Sequence, residues 1–133
     1  MKYKEIEIPI YGGSVMLYSG KVDDCNIHFY KTNNTDHKDI ISNGYYGVCM
    51  TLNTGVEMIW INSHNDYNTV SHEITHLVKN ILLVRCGMIH TSDSTEAWAY
   101  LTGWITEQWF SKDGWKSYTR TELKKMRKKK TNP

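Results

Sequence analysis

The sequence lacks several features that define large classes of protein. It contains no run of eighteen apolar residues, which excludes an ordinary transmembrane helix. Its first residues alternate charged and apolar side chains and include no signal-peptide apolar region, so we expect a cytoplasmic protein with no membrane partner. The three cysteines are far apart, odd in number and form no C-x-x-C pair, which argues against a disulfide framework and fits a reducing compartment.

Phenylalanine is scarce, with two residues, and neither an internal repeat nor a second domain can be recognised. A chain of 133 residues has enough mass for one modest core. Nine tyrosines and five tryptophans supply the large side chains instead, and such amphipathic rings suit half-buried positions and clefts. We therefore expect a single domain over residues 1–115.

Positive charge is concentrated at the C-terminal end. Residues 116–133 contain eight of the sixteen Lys and Arg but one of the fourteen Asp and Glu, so this segment carries +7 and the remaining body −5. The capping-box pattern Thr119-Arg120-Thr121-Glu122 predicts a short helix within it. We expect a basic C-terminal helix or tail that is either a solvated end or a contact for nucleic acid or an acidic partner.

The N-terminal half has the patterns of a sheet. Short alternating or apolar runs predict five strands, at residues 3–10, 15–18, 26–30, 45–52 and 56–62. The last two are joined by Asn53-Thr54-Gly55, a three-residue hairpin loop with glycine in the left-handed position. Residues 31–44 are polar and turn-rich, which predicts a surface loop. Because helical patterns follow the strands, the expected fold class is α+β.

A His-Glu-x-x-His motif follows the last predicted strand. The apolar residues around it recur at helical spacing, which predicts a helix over about residues 67–86. His72 and His76 are four residues apart, so on a helix they share a face and can bind one metal ion. Glu73 is adjacent and can act on a water held by that ion. The pattern favours a zinc site over two surface histidines.

A catalytic zinc site needs a third protein ligand and one open position. A second helix is predicted over about residues 94–111, and Glu96 lies at its start. We expect Glu96 to be the third ligand, because two antiparallel helices joined by a short turn can bring the start of one beside the middle of the other. His90 and Asp93 are rival ligands. Asp93 and Glu96 also fit the N-cap and N3 positions of the helix, so Glu96 is either a ligand or a cap.

The HExxH motif at residues 72–76, followed by the EAxA sequence at residues 96–99, resembles the gluzincin branch of zinc metallopeptidases. The resemblance covers residues 58–110 and extends to small phage- or prophage-encoded metallopeptidases, for which the host cytoplasm is the expected location. It implies a minimal zincin-like domain in which N-terminal antiparallel strands precede two packed helices that hold Zn²⁺ with two His and one Glu. It also implies that residues 57–61 form an edge strand that pairs with an extended substrate. Leu82 stands where a metzincin would have its third histidine.

The resemblance implies a zinc-dependent peptidase that hydrolyses a peptide bond in a protein or peptide substrate. Glu73 is the expected general base. A second group must stabilise the oxyanion, and Tyr100, one turn after Glu96, is our first candidate, with His64 and His90 as alternatives. The competing hypothesis is a non-catalytic, zinc-stabilised binding protein or virion accessory protein whose basic tail contacts nucleic acid or an acidic partner.

Overall fold

The computed structural model describes residues 1–34, 40–42 and 44–128, so the middle of the predicted surface loop and the end of the predicted tail lie outside the described residues. The elements are β1 (Lys2–Glu7), β2 (Ser14–Ser19), α1 (Val22–Thr32), β3 (Gly47–Thr51), β4 (Glu57–Ile61), α2 (Tyr67–Lys79), α3 (Thr95–Phe110), β5 (Lys116–Ser117) and α4 (Arg120–Lys125). A π-helical segment, Asn80–Arg85, continues α2. None of the helices in this part of the chain is long and apolar enough to cross a membrane.

The strands form one mixed sheet in the order β3-β4-β2-β1-β5. β2 and β4 are parallel, whereas the other neighbouring pairs are antiparallel. The expectation of an α+β fold that begins with an antiparallel strand pair is confirmed. The β3–β4 hairpin is confirmed as well: Gly55 has a φ of +87°, and the Leu52 N–H donates to the Val56 carbonyl at 2.8 Å.

Helices cover both faces of the sheet. On one face, Leu17 of β2 and Ile59 of β4 pack with the apolar sides of α2 and α3. On the other face, Tyr18 and Trp60 pack with Phe29 of α1. Successive residues of a strand point to opposite faces. Strands β2 and β4 are therefore apolar at nearly every position because each supplies two cores.

The segment 26–30, which the sequence predicts as a strand, lies within α1. A short apolar run does not distinguish a strand from one side of a helix. Asp23 and Asp24 in the first turn favour the helix through its dipole. Cys25 and Phe29, four residues apart, are both buried against the sheet, as one side of a helix requires. The strand prediction is therefore wrong. In the chain, α1 and β3 together connect the parallel strands β2 and β4.

The strand that precedes the histidine helix is not an edge strand. β4 lies between β3 and β2, and all five of its residues are buried. The expectation that residues 57–61 pair with a substrate is wrong, because both hydrogen-bonding edges of β4 are already used. The outermost strand on this side of the described sheet is β3, which contacts α2.

Helix α3 buries one side and exposes the other. Leu101, Ile105 and Trp109, which are four residues apart, are buried. Ala99 and Gly103 lie on the exposed side, and a Cβ added to Gly103 would meet no atom within 4 Å. The large apolar residues of α3, and not these small ones, therefore make the contact with α2.

Much of the basic C-terminal segment is built into the fold. β5 pairs with β1, and Leu123 of α4 is fully buried. Thr119 caps α4 by accepting the Glu122 N–H at 3.1 Å, so the predicted short helix is confirmed. At the other end of α4, the Lys31 ammonium donates to two backbone carbonyls at 2.6 and 2.9 Å. The lysines of α4 are thus held in a fixed position relative to the domain.

Candidate metal centre

The apolar side of α2 determines where its two histidines point. Val70, Ile74 and Leu77 are buried in the core between α2, α3 and the sheet. His72 and His76 therefore lie on the side away from this core, and both are exposed. Burial of the core residues and exposure of the histidines follow from the same helical spacing.

Asp66 and Gly47 fix the first turn of α2. Asp66 is the N-cap residue, and its side chain accepts hydrogen bonds from the backbone N–H of Thr69, at 3.3 Å, and from the Thr69 hydroxyl. Thr69 in turn lies against β3. A Cβ added to Gly47 would be 2.6 Å from Thr69 Cγ2 and 3.1 Å from Glu73 Cγ. Glycine at position 47 therefore allows β3 to approach α2 beside Glu73.

The two imidazoles converge on one point. Nε2 of His72 and Nε2 of His76 are 3.2 Å apart, and the ring planes are inclined by 74°. Two nitrogens bound to one tetrahedral zinc at about 2.0–2.1 Å are about 3.3 Å apart, so the separation fits a shared ion. A hydrogen bond between two neutral imidazoles has a similar length, which makes metal analysis the decisive test.

Glu73 stands beside this point of convergence. Its Oε1 atom is 3.9 Å from His72 Nε2. Glu73 is only 8% exposed, because its stem is packed between α2 and β3 while its carboxylate reaches the cleft. The arrangement holds a carboxylate next to the nitrogens that would bind a metal, which is the geometry that general-base catalysis needs.

A cleft of about 560 Å³ opens beside the three side chains, between α2 and β3. Such a volume lies within the usual range for a ligand site. Gly47–Met50 forms the β3 wall, and Asn80 extends the α2 wall. A smaller pocket of about 250 Å³ shares Gly47, His72 and Glu73 with the cleft and continues toward the first turn of α2. Open space therefore extends along the edge strand on both sides of Glu73.

Asn80 and Cys49 are two further polar groups that line the cleft. Asn80 Nδ2 is 3.8 Å from Cys49 Sγ and 3.4 Å from Glu57 Oε2. Glu57 is 2% exposed and also accepts the Thr51 hydroxyl, whose oxygen is 2.9 and 3.1 Å from its two carboxylate oxygens. Burial, followed by the charges of Glu57 and Glu73, raises the pKa of the Cys49 thiol to about 12, so Cys49 contributes a neutral wall.

The predicted third ligand lies apart from the histidines. Glu96 is in the first turn of α3, is exposed, and does not line the cleft. Asp93 is also exposed, and His90 stacks on Trp98 with ring centroids 4.9 Å apart. Among the described residues, no three His, Cys, Asp or Glu side chains come together closely enough to hold a metal ion. Two ligands of the expected three are thus adjacent, and the third stays a prediction.

The capping alternative for Glu96 is not formed. Ser94, and not Asp93, is the N-cap residue of α3, and its side chain makes no capping hydrogen bond to the helix. The Ser94 hydroxyl instead accepts the Thr91 N–H at 2.8 Å and donates to the Ile89 carbonyl at 2.6 Å. Glu96 therefore does not form a capping box, and its local role is that of an acidic residue in the first turn, which the helix dipole favours.

The three predicted oxyanion stabilisers do not line the cleft either. Tyr100 is 54% exposed on the outer side of α3. His64 Nδ1 is 2.9 Å from Ser19 Oγ, and the ring lines a different pocket. Asn80, which is not among the residues predicted from the sequence, does line the cleft. The available signal was its spacing, four residues after His76 and therefore one helical turn further along the same face.

Comparisons with known proteins give no relative for this chain. No protein family model matches it, and neither a curated protein nor a solved structure is significantly similar to it. A functional proposal for this protein therefore rests on its own residues and their geometry.

Proposed function

We propose that the protein is a zinc-dependent peptidase of the gluzincin type. The proposal is carried by the convergence of the His72 and His76 Nε2 atoms beside the Glu73 carboxylate, in a cleft bordered by an edge strand. Zinc, when bound, supplies a Lewis acid that polarises a carbonyl group and makes a water molecule acidic near pH 7. His72 and His76 would hold the ion, with Glu96 as the proposed third ligand.

Glu73 is the proposed general base. Its carboxylate accepts a proton from the attacking water and passes it to the leaving amine. Because the stem of Glu73 is packed against Gly47, the carboxylate is held in place before the substrate binds. Such a preformed position reduces the cost of bringing the reacting groups together.

Strand β3 gives an extended peptide a place to bind. Its outer edge pairs with no strand among the described residues, so a substrate backbone can add to the sheet there. The peptide would then pass between β3 and the histidine side of α2. Ile40, Val48 and Met50 offer apolar contacts to its side chains. The strand proposed to pair with the substrate is thus β3, and not its neighbour β4, for which the sequence resemblance implied this role.

Asn80 is the proposed oxyanion stabiliser within the cleft. Its amide lies one turn after His76, and Nδ2 donates to Glu57 at a long distance of 3.4 Å, so the donor can be redirected at little cost. Removing a comparable side-chain amide donor lowers kcat by about 10²–10³-fold in other hydrolases. Tyr100 remains the rival candidate, although it lies outside the cleft lining.

Metal analysis tests the ligands directly. Wild-type protein should bind stoichiometric zinc, and His72→Ala and Glu96→Gln should lose it. His90→Ala and Glu107→Gln remove the same residue types outside the cleft and should keep the metal. A wild-type protein that neither contains nor binds zinc would overturn the proposal. Equal zinc in the two glutamate variants would remove Glu96 from the site and leave the histidine pair in place.

Peptide cleavage tests Glu73. A mixture of fluorogenic peptides should be cleaved by zinc-loaded wild type, and Glu73→Gln should keep its zinc while losing about 10²–10⁴-fold in rate. Glu122→Gln, on the exposed surface of α4, is the matched control and should cleave normally. Full activity of Glu73→Gln would rule out Glu73 as the base.

A second candidate function is favoured by the anchoring of the basic segment. Because β5 and Leu123 hold residues 116–125 against the domain, Lys116, Lys124 and Lys125 form a cationic surface that suits an extended polyanion. In this candidate the zinc only stabilises the domain, and the basic segment contacts nucleic acid or an acidic partner. Salt-sensitive binding that survives Glu73→Gln but is lost in the double variant Lys124→Glu, Lys125→Glu supports it. Charge reversal is preferable to deletion, since the segment belongs to the fold.

A further inference from the structure

An aromatic pocket lies where β5, β1 and the end of α3 meet. Its volume is about 340 Å³, and it shares no lining residue with the metal cleft. Its lining includes Lys2, His64, Phe110, Lys112, Trp115 and Ser117. The pocket is therefore a second concave site with aromatic walls and cationic groups, and the proposed peptidase chemistry does not use it.

The rings of the pocket form a continuous surface that reaches solvent. His64 and Trp115 meet edge to face, with ring centroids 5.1 Å apart, and His64 is 6.2 Å from Phe110. Phe110 is in turn 5.1 Å from Tyr67, which is 67% exposed. His64, Phe110 and Trp115 are half-buried, so this aromatic run offers partly accessible ring faces, and the exposed ring of Tyr67, on which a planar group can stack.

The charge of the pocket is positive and uncompensated. No Asp or Glu lines it. Within the described chain, the ammonium groups of Lys2 and Lys112 form no ion pair, and Lys2 lies 5.7 Å from the Trp115 ring centroid. Burial, together with nearby Lys2, lowers the pKa of His64, so the imidazole is neutral at pH 7 and the two lysines carry the charge. These groups suit an anion that carries a ring.

The pocket continues into the basic segment. Ser117 lines it, and α4 begins at Arg120, at most about 11 Å further along the chain. Helix α4 adds about 9 Å, so the exposed Lys124 and Lys125 lie within about 20 Å of Ser117. Arg120 is already paired with Asp24, so the lysines supply the free charge. Helix α4 packs on α1, on the other face of the sheet, so a strand that stacks on the rings reaches these lysines around the edge strand β5.

We infer that the aromatic pocket, the adjoining Tyr67 ring and the described part of the basic segment, residues 116–128, together bind single-stranded nucleic acid. Unpaired bases stack on the exposed rings while the phosphates contact the lysines, the combination by which single strands are bound without sequence readout. The inference rests on the second candidate function and names its partner. A duplex hides the base faces that the rings need. A membrane needs an exposed apolar side on the basic helix, whereas Leu123, the apolar residue of α4, is fully buried.

Fluorescence anisotropy of the full-length, zinc-loaded protein with labelled oligothymidylate of about 12 nucleotides tests the inference. The single strand should bind more tightly than a duplex of the same length. Its affinity should fall as salt rises, with a slope of about −0.7 on a double-logarithmic plot for each phosphate contacted. Vesicles containing anionic lipid are the competing polyanion and should bind weakly or not at all.

Two variants probe the stacking and the charge separately. Tyr67→Ala should weaken single-strand binding by about five- to 150-fold, the loss expected for one stacked base. Lys112→Glu should weaken binding and reduce the salt slope by about 0.7. Tyr100→Ala and Lys79→Glu make the same changes at exposed positions outside the pocket and should bind as wild type does.

The possible outcomes separate this inference from the function on which it rests. Equal affinity for single strand and duplex, or unchanged binding by Tyr67→Ala and Lys112→Glu, would overturn the single-strand inference while leaving polyanion binding in place. Tight binding to vesicles without binding to the oligonucleotide would also overturn it. Failure to bind any of the three would overturn the inference and would also remove nucleic acid as a partner in the second candidate function.

Discussion

Replacing Gly47 with alanine tests how closely β3 must approach the histidine helix. The new Cβ would lie 2.6 Å from Thr69 Cγ2, 3.0 Å from Ile61 Cδ1 and 3.1 Å from Glu73 Cγ. Gly47 does not have a positive φ, so the requirement is for space and not for an unusual backbone conformation. Ile61 is fully buried and Thr69 is tied to Asp66, so neither neighbour can move freely.

Overpacking of this kind costs about 1–3 kcal/mol. The lower entropy of the unfolded alanine chain offsets about 0.4–1 kcal/mol of that cost. We therefore expect Gly47→Ala to lower the free energy of unfolding by about 1–2 kcal/mol. Gly103→Ala is the matched control, because an added Cβ on α3 meets no atom within 4 Å and alanine favours a helix by about 0.5–1 kcal/mol.

Urea unfolding followed by circular dichroism should thus move the two midpoints in opposite directions, with unchanged m values. A Gly47→Ala midpoint at or above that of the wild type would refute the close-approach argument. If the argument holds, Gly47→Ala should also retain its zinc and cleave peptides more slowly, because the added methyl group displaces the stem of Glu73 and not the exposed histidines.

Three further predictions concern the stability of the domain. Burial, with Lys116 nearby, lowers the pKa of His28 to about 4, whereas a histidine in the unfolded chain has a pKa of about 6.5. As the pH falls, position 28 therefore takes up its proton in the unfolded chain before it does so in the folded protein. The free energy of unfolding should therefore fall between pH 6.5 and pH 4 by at most about 3 kcal/mol, and His28→Gln should show a smaller fall in urea titrations at several pH values. Leu123→Ala should cost about 2–5 kcal/mol in the same assay if α4 is docked, whereas a change near zero would contradict its docking. Asp66→Ala should cost about 0.5–2 kcal/mol through loss of the N-cap, and an unchanged midpoint would contradict that role.

The parts of the structure that the sequence predicts correctly are those decided by neighbouring residues. Thr119 caps α4 within its own first turn, and Gly55 closes a hairpin between adjacent strands. The exposed histidine face follows from the apolar spacing of α2 itself. For such features the interacting residues are at most a few positions apart, so local spacing and turn chemistry are sufficient.

The errors concern features that depend on distant segments. Whether residues 26–30 form a strand depends on what covers the face of β2, and a helix there buries Cys25 and Phe29 together. The edge position of β3 and the interior position of β4 follow from the parallel pairing of Ser14–Ser19 with β4, across the whole of α1 and β3. Hydrophobic pattern identifies β4 as a strand but does not reveal its neighbours.

Helical geometry explains why the third ligand is harder to place than the histidines. Side chains advance by about 100° per residue, so Glu96 lies about 140–180° around α3 from Leu101 and Ile105, which face the core. On α2, the histidines also face away from this core, and they lie on the side of the helix that borders β3. Helix α3 contacts α2 through the core instead. Glu96 can therefore complete a zinc site only if zinc binding moves the first turn of α3 toward the cleft, while His72 and His76 are already at the separation that one ion requires.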